Sequence, residues 1–240
     1  MTMHHEWWRD FFGGLAADFW HALPTPAMTA GEVDLLLQRL QPIPGARLLD
    51  VPCGDGRHAA ELQRRGFDVL GVDGSEALVA HAHAAGVRAE RRDMRELARL
   101  GPFDAAYCLG NSFGYLDDPG NLAFLRAVHD ELRPGGDFLL DATVAETILP
   151  NLKQNHSHEA AGIRFRGAVS YDPATGVLRS DYDIARGAER EQKSAFVRIY
   201  TASHLIAMLR EAGFGEVAVM APDGAPFVLG APRAWFTARA

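Results

Sequence analysis

Four residues between positions 50 and 73 have types and spacing that could do chemistry: Asp50, Gly54, Gly56 and Asp73. The two glycines lack a Cβ, so the backbone can take up unusual φ/ψ values and a ligand can come close to it. A helix beginning just after them would present N–H groups that have no partner within the helix and attract negative charge. Asp73 is a carboxylate suited to accept hydrogen bonds from the two hydroxyls of a ribose.

The elements that position these groups are legible around them. Leu48 to Val51 form an apolar run that fits a buried strand. A glycine loop follows, then an amphipathic helix with Ala59, Ala60 and Leu62 on its inner side. A second apolar run, Val69 to Val72, ends in Asp73. This β-loop-α-β unit is of the kind that cradles a nucleoside. Two ligands fit the outline. Gly54-x-Gly56-x-x-Ala59 matches the dinucleotide fingerprint, with an acid at about 20 residues, which leaves a nicotinamide-dependent oxidoreductase as one reading. Asp50, ahead of the glycines, would repel a pyrophosphate but can bind an ammonium, directly or through water. Asp55 adds to the acidity. S-adenosylmethionine carries an ammonium and a sulfonium and no phosphate, so the loop favours it.

Five motifs in order carry a resemblance. Asp50-Val51-Pro52-Cys53-Gly54-Asp55-Gly56 resembles the first motif of the class I S-adenosylmethionine-dependent methyltransferases, with Pro52 at the first glycine position. Gly71-Val72-Asp73-Gly74-Ser75 is similar to the second. Arg92-Asp93-Met94, the run Phe103 to Leu109, and Leu132-Arg133-Pro134-Gly135-Gly136 match the segments around the third, fourth and fifth strands. The resemblance implies an S-adenosylmethionine cofactor. It places Asp50, Gly54 and Gly56 at the methionyl end, Asp73 on the ribose, Asp93 and Met94 on the adenine, and Leu109, Gly110 and Phe113 toward the sulfonium. Pro52, Cys53, Arg57, Gly74 and Ser75 are expected to be cofactor contacts beside them. A non-catalytic binding subunit that keeps this fold is the third reading, and the intact cofactor acids argue against it.

The implied fold is α/β: a doubly wound, mostly parallel seven-stranded, Rossmann-like sheet with an antiparallel β insert and an N-terminal helical lid. Apolar runs predict strands at 47–51, 68–72, 87–90, 104–109, 136–141, 216–220 and 234–238, with helices at 57–65, 75–84, 94–98, 120–132 and 203–212. Alternating strands and helices predict a parallel sheet covered on both faces. Residues 1–28 form an aromatic lid in which Trp8, Phe12 and Phe19 share one helix face. Thr29 is the expected cap of a helix over 30–40, with Glu32 at the capping-box position. The cofactor domain spans 29–150 and 201–240. Between them, 151–200 breaks the rhythm. Alternation at Ile163, Phe165, Val169 and Tyr171, again at Leu178, Ser180, Tyr182 and Ile184, and a run from Ala195 to Tyr200 predict three antiparallel strands. They would cover the carboxyl ends of the main sheet, where ligands bind in open α/β folds.

Composition narrows the function classes. The chain has 240 residues, 48% of them hydrophobic, and a formal net charge of −7, which argues against a nucleic-acid surface. No apolar run approaches the roughly 18 residues of a membrane span. The N-terminus lacks a secretory pattern, and two cysteines make no disulfide framework, so a cytoplasmic monomer or homodimer acting on a small molecule is expected.

The acceptor side is read from loops. Asn111 and Tyr115, after the fourth strand, with Tyr200 and His204 after the insert, are the candidate catalytic residues. Trp7, Trp8, Phe11 and Tyr115 are candidate substrate contacts. The bland alternatives are a helix cap at Ser112, structural roles for Tyr200 and His204, and plain hydrophobic docking of the aromatics. No metal site is expected: His81 and His83 lie i, i+2 on a helix, and His156 and His158 sit in a stretch that reads as loop. The insert's arginines alternate with acids and read as a solvated mixed-charge face. No strong base stands out, which favours a nitrogen acceptor over oxygen.

Overall fold

The computed structural model describes residues 6–240. The first five residues of the predicted lid lie outside them. Seven strands form the main sheet: β1 (Arg47–Asp50), β2 (Asp68–Asp73), β3 (Arg88–Arg91), β4 (Phe103–Cys108), β5 (Leu132–Ala142), β10 (Gly215–Met220) and β11 (Ala234–Arg239). Their order is β10-β11-β5-β4-β1-β2-β3. β1 to β5 run parallel; β11 is antiparallel to both β5 and β10. The order reverses beside β1, so the carboxyl ends of β1 and β4 open onto a crevice, as the switch-point rule requires. Buried residues make near-continuous runs in the central strands, as expected for a sheet covered on both faces.

The covering helices are α3 (Pro26–Leu40), α4 (Arg57–Arg64), α5 (Glu76–Ala84), α6 (Asp118–Glu131) and α8 (Ala202–Glu211). Leu36, Leu40, Leu62 and Val79 pack on one face of the sheet with Leu48 and Tyr107; Phe124, Leu125, Leu205 and Leu209 pack on the other with Leu49 and Phe138. Two short N-terminal helices, α1 (Trp8–Phe11) and α2 (Gly14–Ala22), and a single turn, α7 (Ala145–Ile148), complete the set.

Three predicted elements differ from expectation here, each for a local reason. The lid is two helices, because the chain breaks at Gly13 and Gly14, the latter at φ +58°. α3 starts a turn earlier than predicted. Thr25 accepts the Met28 N–H, and Pro26 occupies the first helical position, where no N–H is needed. Thr29 instead accepts a hydrogen bond from Arg57. Residues 94–98 are turns, since the Asp93 side chain and carbonyl take the N–H groups of Arg95 and Glu96.

The insert has four strands: β6 (Asn155–Ala160), β7 (Ile163–Asp172), β8 (Val177–Arg186) and β9 (Glu189–Arg198). β6, expected as loop, pairs antiparallel with β7 from Asn155↔Ala168 to Ala160↔Ile163. His156 and His158 therefore stand on one face of a strand, with rings 5.5 Å apart.

Candidate active site

A cavity of about 600 Å³ lies over the carboxyl ends of the main sheet, roofed by the lid and the insert. One wall is the glycine loop. Gly54 has φ +57°, and a Cβ there would meet nothing within 4 Å. Gly56, at φ +79°, is closed in: its Cβ would come within 2.9 Å of Ala82, so it packs the loop on α5 rather than facing a ligand. Asp73 fixes the loop's shape. Its Oδ2 accepts the Gly54 N–H at 2.9 Å and its Oδ1 accepts the Ser75 N–H at 2.8 Å. Burial pushes its pKa up, against the pull of those N–H donors. Asp50 lies one layer behind the cavity wall. Burial raises its pKa well above the usual range, opposed by the neighbouring Tyr107 hydroxyl and the Arg57 charge. Its Oδ2 makes no hydrogen bond of good geometry.

Beside the loop lies an ion-pair network. Glu32 accepts from Arg57 at 2.6 Å, His58 at 2.9 Å and Arg233 at 3.0 Å. Arg233 also meets the fully buried Asp141 at 2.5 Å, and Asp141 accepts the Gly110 N–H at 3.2 Å. Burial alone would raise the Glu32 pKa; the His58 hydrogen bond and the Arg57 charge outweigh it and bring it to about 2. The network thereby links α3, α4, β5, the loop before β11 and the loop after β4.

The opposite wall is neutral. Alternate residues of β8 and β9, among them Leu178, Ser180, Tyr182, Ala195 and Val197, line the cavity, with Ile199 just beyond β9. The lid adds Trp7, Phe11 and Phe12, in ring contact with Tyr115 and Tyr182: Trp7 to Tyr115 4.9 Å, Phe12 to Tyr115 6.0 Å, Phe11 to Tyr182 5.7 Å. Trp8 packs on the bare backbone of Gly74, where a Cβ would fall 2.5 Å from its ring. Two charges from β9 hold the lid down. Lys193 donates to the carbonyls of Asp10, Phe11 and Gly13 at 2.7–2.9 Å, and Glu191 accepts the Leu15 N–H at 3.1 Å. Ser75 donates to the Phe12 carbonyl at 2.8 Å.

Known proteins share this plan. A family described as a methyltransferase domain matches residues 48–136. A glycine/sarcosine N-methyltransferase of Halorhodospira halochloris is 33% identical over 169 residues, covering 65% of this chain and 62% of that protein. A ubiquinone biosynthesis O-methyltransferase of Xanthomonas axonopodis pv. citri (strain 306) is 32% identical over 148 residues, covering 57% and 60%. The matches thus span about three fifths of these relatives. A solved methyltransferase structure from Streptomyces caelestis superposes with a TM-score of 0.80 at 20% identity, over 96% of this chain and 98% of that one. The chain carries a methyltransferase domain over residues 48–136 on the fold of the class I S-adenosylmethionine-dependent methyltransferases.

The residues at the cavity fit S-adenosylmethionine, the cofactor of the methyltransferases that share this fold. Each Asp73 oxygen accepts one backbone N–H and retains a further lone pair for a ribose hydroxyl. The open space over Gly54 admits a close approach, and Leu78, Met94 and Leu109 supply apolar surface. The acidic side chains Asp50, Asp55 and Asp73 around the loop suit a cationic ligand, whose charge would offset the burial that pushes Asp50 and Asp73 toward their neutral forms.

Of the residues expected from sequence, the structure brings Pro52, Cys53, Gly54, Arg57, Asp73, Gly74, Ser75, Met94, Leu109, Gly110, Asn111, Tyr115, Trp7, Trp8 and Phe11 to the cavity. It does not bring Asp50, Gly56, Asp93, Phe113, Tyr200 or His204 to its lining. Asp93 is engaged by Arg95 at 2.6 Å and by Arg9, from the lid, at 3.6 Å. Phe113 is buried against Phe124 and Tyr200. The Tyr200 hydroxyl donates to Asp118 at 2.7 Å and accepts from Asn121 at 3.0 Å, and His204 packs edge-on against the Tyr200 ring. Sequence reasoning missed Glu32, His58 and Arg233 as lining residues. It found the alternation in β8 without seeing that this face lines the cavity. Among the described residues, no group of three or more His, Cys, Asp or Glu is placed to hold a metal ion, and no helix is long and apolar enough to cross a membrane.

Proposed function

We propose that this chain transfers a methyl group from S-adenosylmethionine to a nitrogen of a small-molecule acceptor inside the closed cavity. The observation that carries the reading is the asymmetry of the walls: an acid-flanked glycine loop faces a surface with no ionisable base. In this reading Asp73 holds the ribose. Gly54 and Arg57 hold the methionyl end. Leu78 and Met94 sandwich the adenine, and Leu109 to Asn111 flank the sulfur. Asp50 acts from behind the loop, as a buried acid whose ionised form a nearby cation would favour.

When bound, S-adenosylmethionine supplies a methyl group already activated on a sulfonium. The protein's share is to orient the acceptor and exclude water, effects that reach about 7–11 kcal/mol for well-aligned reactants. Asn111, at a left-handed φ of +58°, and Ser112 present polar groups at the entrance to the neutral wall. An oxygen acceptor would need a base to take its proton. The histidines and carboxylates that line the cavity sit on the cofactor side, each engaged by a charged partner or backbone N–H. An amine needs no such group. Burial against apolar surface disfavours its ammonium form, so its proton stays behind in water as it enters. The neutral nitrogen so delivered keeps the free lone pair that an activated sulfonium methyl would require, and the cavity walls would hold the two in line. The methylated product leaves as its ammonium, so the one proton released is the one left in water on entry.

The net charge of −7 supports a small-molecule rather than a nucleic-acid acceptor; the proposed setting is the cytoplasm, with the protein a monomer or homodimer. The test is incubation with methyl-labelled cofactor and a metabolite extract, followed by mass spectrometry of the labelled product. Label on nitrogen is expected; label on oxygen or carbon would contradict the reading.

A further inference from the structure

The charges of the insert sort by position. On the sheet face toward the lid, Arg186, Glu191 and Lys193 all occupy the end that holds the lid down: Arg186 meets Asp18 at 2.8 Å, while Glu191 and Lys193 take backbone groups of the lid. On the outer face, Arg179 pairs with Asp181. Arg198 leaves the sheet to meet Asp118 at 2.8 Å. Between these groups the surface that meets the cavity is wholly neutral, from Leu178 to Tyr182 and from Ala195 to Ile199 at alternate positions. The cations that do line the cavity, Arg57 and Arg233, are across it and already bound to Glu32 and Asp141.

We propose that the acceptor is an amine with a compact apolar or aromatic body and no carboxylate or phosphate, seated on the rings of Trp7, Phe12 and Tyr115. This rests on the methyl-transfer reading above. A buried carboxylate without a counter-charge pays a large desolvation cost, and nothing on this wall offers one. An apolar body gains from burial there, and ring faces give it a defined orientation. The class is opposite in this respect to an α-amino acid, whose carboxylate would need a guanidinium or ammonium on the acceptor wall.

The experiment is calorimetric titration of the protein saturated with S-adenosylhomocysteine, using matched pairs: tyramine against L-tyrosine, and 2-phenethylamine against L-phenylalanine. Each amine is expected to bind at least about tenfold more tightly than its amino acid. A Leu178→Arg variant, which places a guanidinium on the neutral wall, is expected to narrow or reverse that preference while still binding S-adenosylhomocysteine. An amino acid that binds the unaltered protein as tightly as its amine would overturn the proposal, as would neither amine saturating by roughly 10 mM. Failure to bind S-adenosylhomocysteine in the first step would instead defeat the cofactor assignment.

Discussion

The two walls of the cavity hold their shape by different means. The cofactor wall is built from backbone and charge. Asp73 clasps two backbone N–H groups, and Glu32 gathers two guanidinium groups and a histidine ring. The acceptor wall is built from side-chain surface: rings in contact with one another and alternate residues of two strands. Its charges are confined to the latch that holds the lid. The difference teaches how one scaffold serves many acceptors. A wall that reads a constant ligand uses directional groups fixed by the main chain, whereas a wall that sets specificity uses side chains on appended elements.

The comparison can be broken from either side. The largest effect is expected from Asp73→Ala, which should weaken S-adenosylhomocysteine binding by up to about 3 kcal/mol, because buried hydroxyls and the Gly54 and Ser75 N–H groups lose their acceptor. Unchanged affinity in a calorimetric titration would remove Asp73 from the ribose.

Glu32→Gln should cost folding stability at neutral pH. The Glu32 carboxyl is lowered from 4.5 to about 2, so its contribution is complete above pH 4.5 and is lost as the pH falls toward 2. Allowing for partial screening by water, roughly 2 kcal/mol is at stake. Denaturant melts should therefore show a gap between wild type and variant at pH 7 that closes at about pH 2–3. A gap independent of pH would mean that the charge on Glu32 is idle.

Lys193→Met acts on the other wall. Removing an ammonium from three carbonyls should loosen the lid by about 1–2 kcal/mol. Amide hydrogen exchange over residues 8–22 should accelerate while the glycine loop stays protected. Exchange that rises equally in both would show that the walls are not independent.

The smallest effects are expected at Tyr200 and His204. Tyr200→Phe gives up two hydrogen bonds away from the cavity, worth about 1 kcal/mol of stability, and His204→Ala less. Neither should lower methyl transfer by more than about threefold, under 1 kcal/mol. A loss of several orders in kcat with KM unchanged would return them to the chemistry and favour an oxygen acceptor.

The same division governs what the sequence reveals. The cofactor wall is local: the segment from Arg47 to Ser75 holds strand, loop, helix and both acids within 29 consecutive positions. Its geometry follows from glycine spacing and apolar period, and Cys53, Gly54, Asp73 and Gly74 all line the cavity. The acceptor wall, where Trp7 and Phe12 of the lid meet Tyr115, and the contacts that support both walls are assembled across the chain. The partners of Tyr200, Asp118 and Asn121, lie about 80 residues earlier, and no pattern near position 200 announces them. Arg233 has no local signal either; its role rests on Glu32 and Asp141, 201 and 92 positions away. Alternation identified the insert strands but not which face would meet the ligand, because a period of two is the same on either face. β6 was hidden by its polarity. It is an edge strand whose residues are half-buried or exposed, so it lacks the apolar signature that marks an inner strand.

The account turns on the ligand that the glycine loop accepts. Titrating the protein with S-adenosylhomocysteine and, separately, with NADH tests this most directly. One-to-one saturable heat with the sulfur nucleoside and none with the dinucleotide is the predicted result. Saturable binding of NADH, with S-adenosylhomocysteine inert, would contradict it.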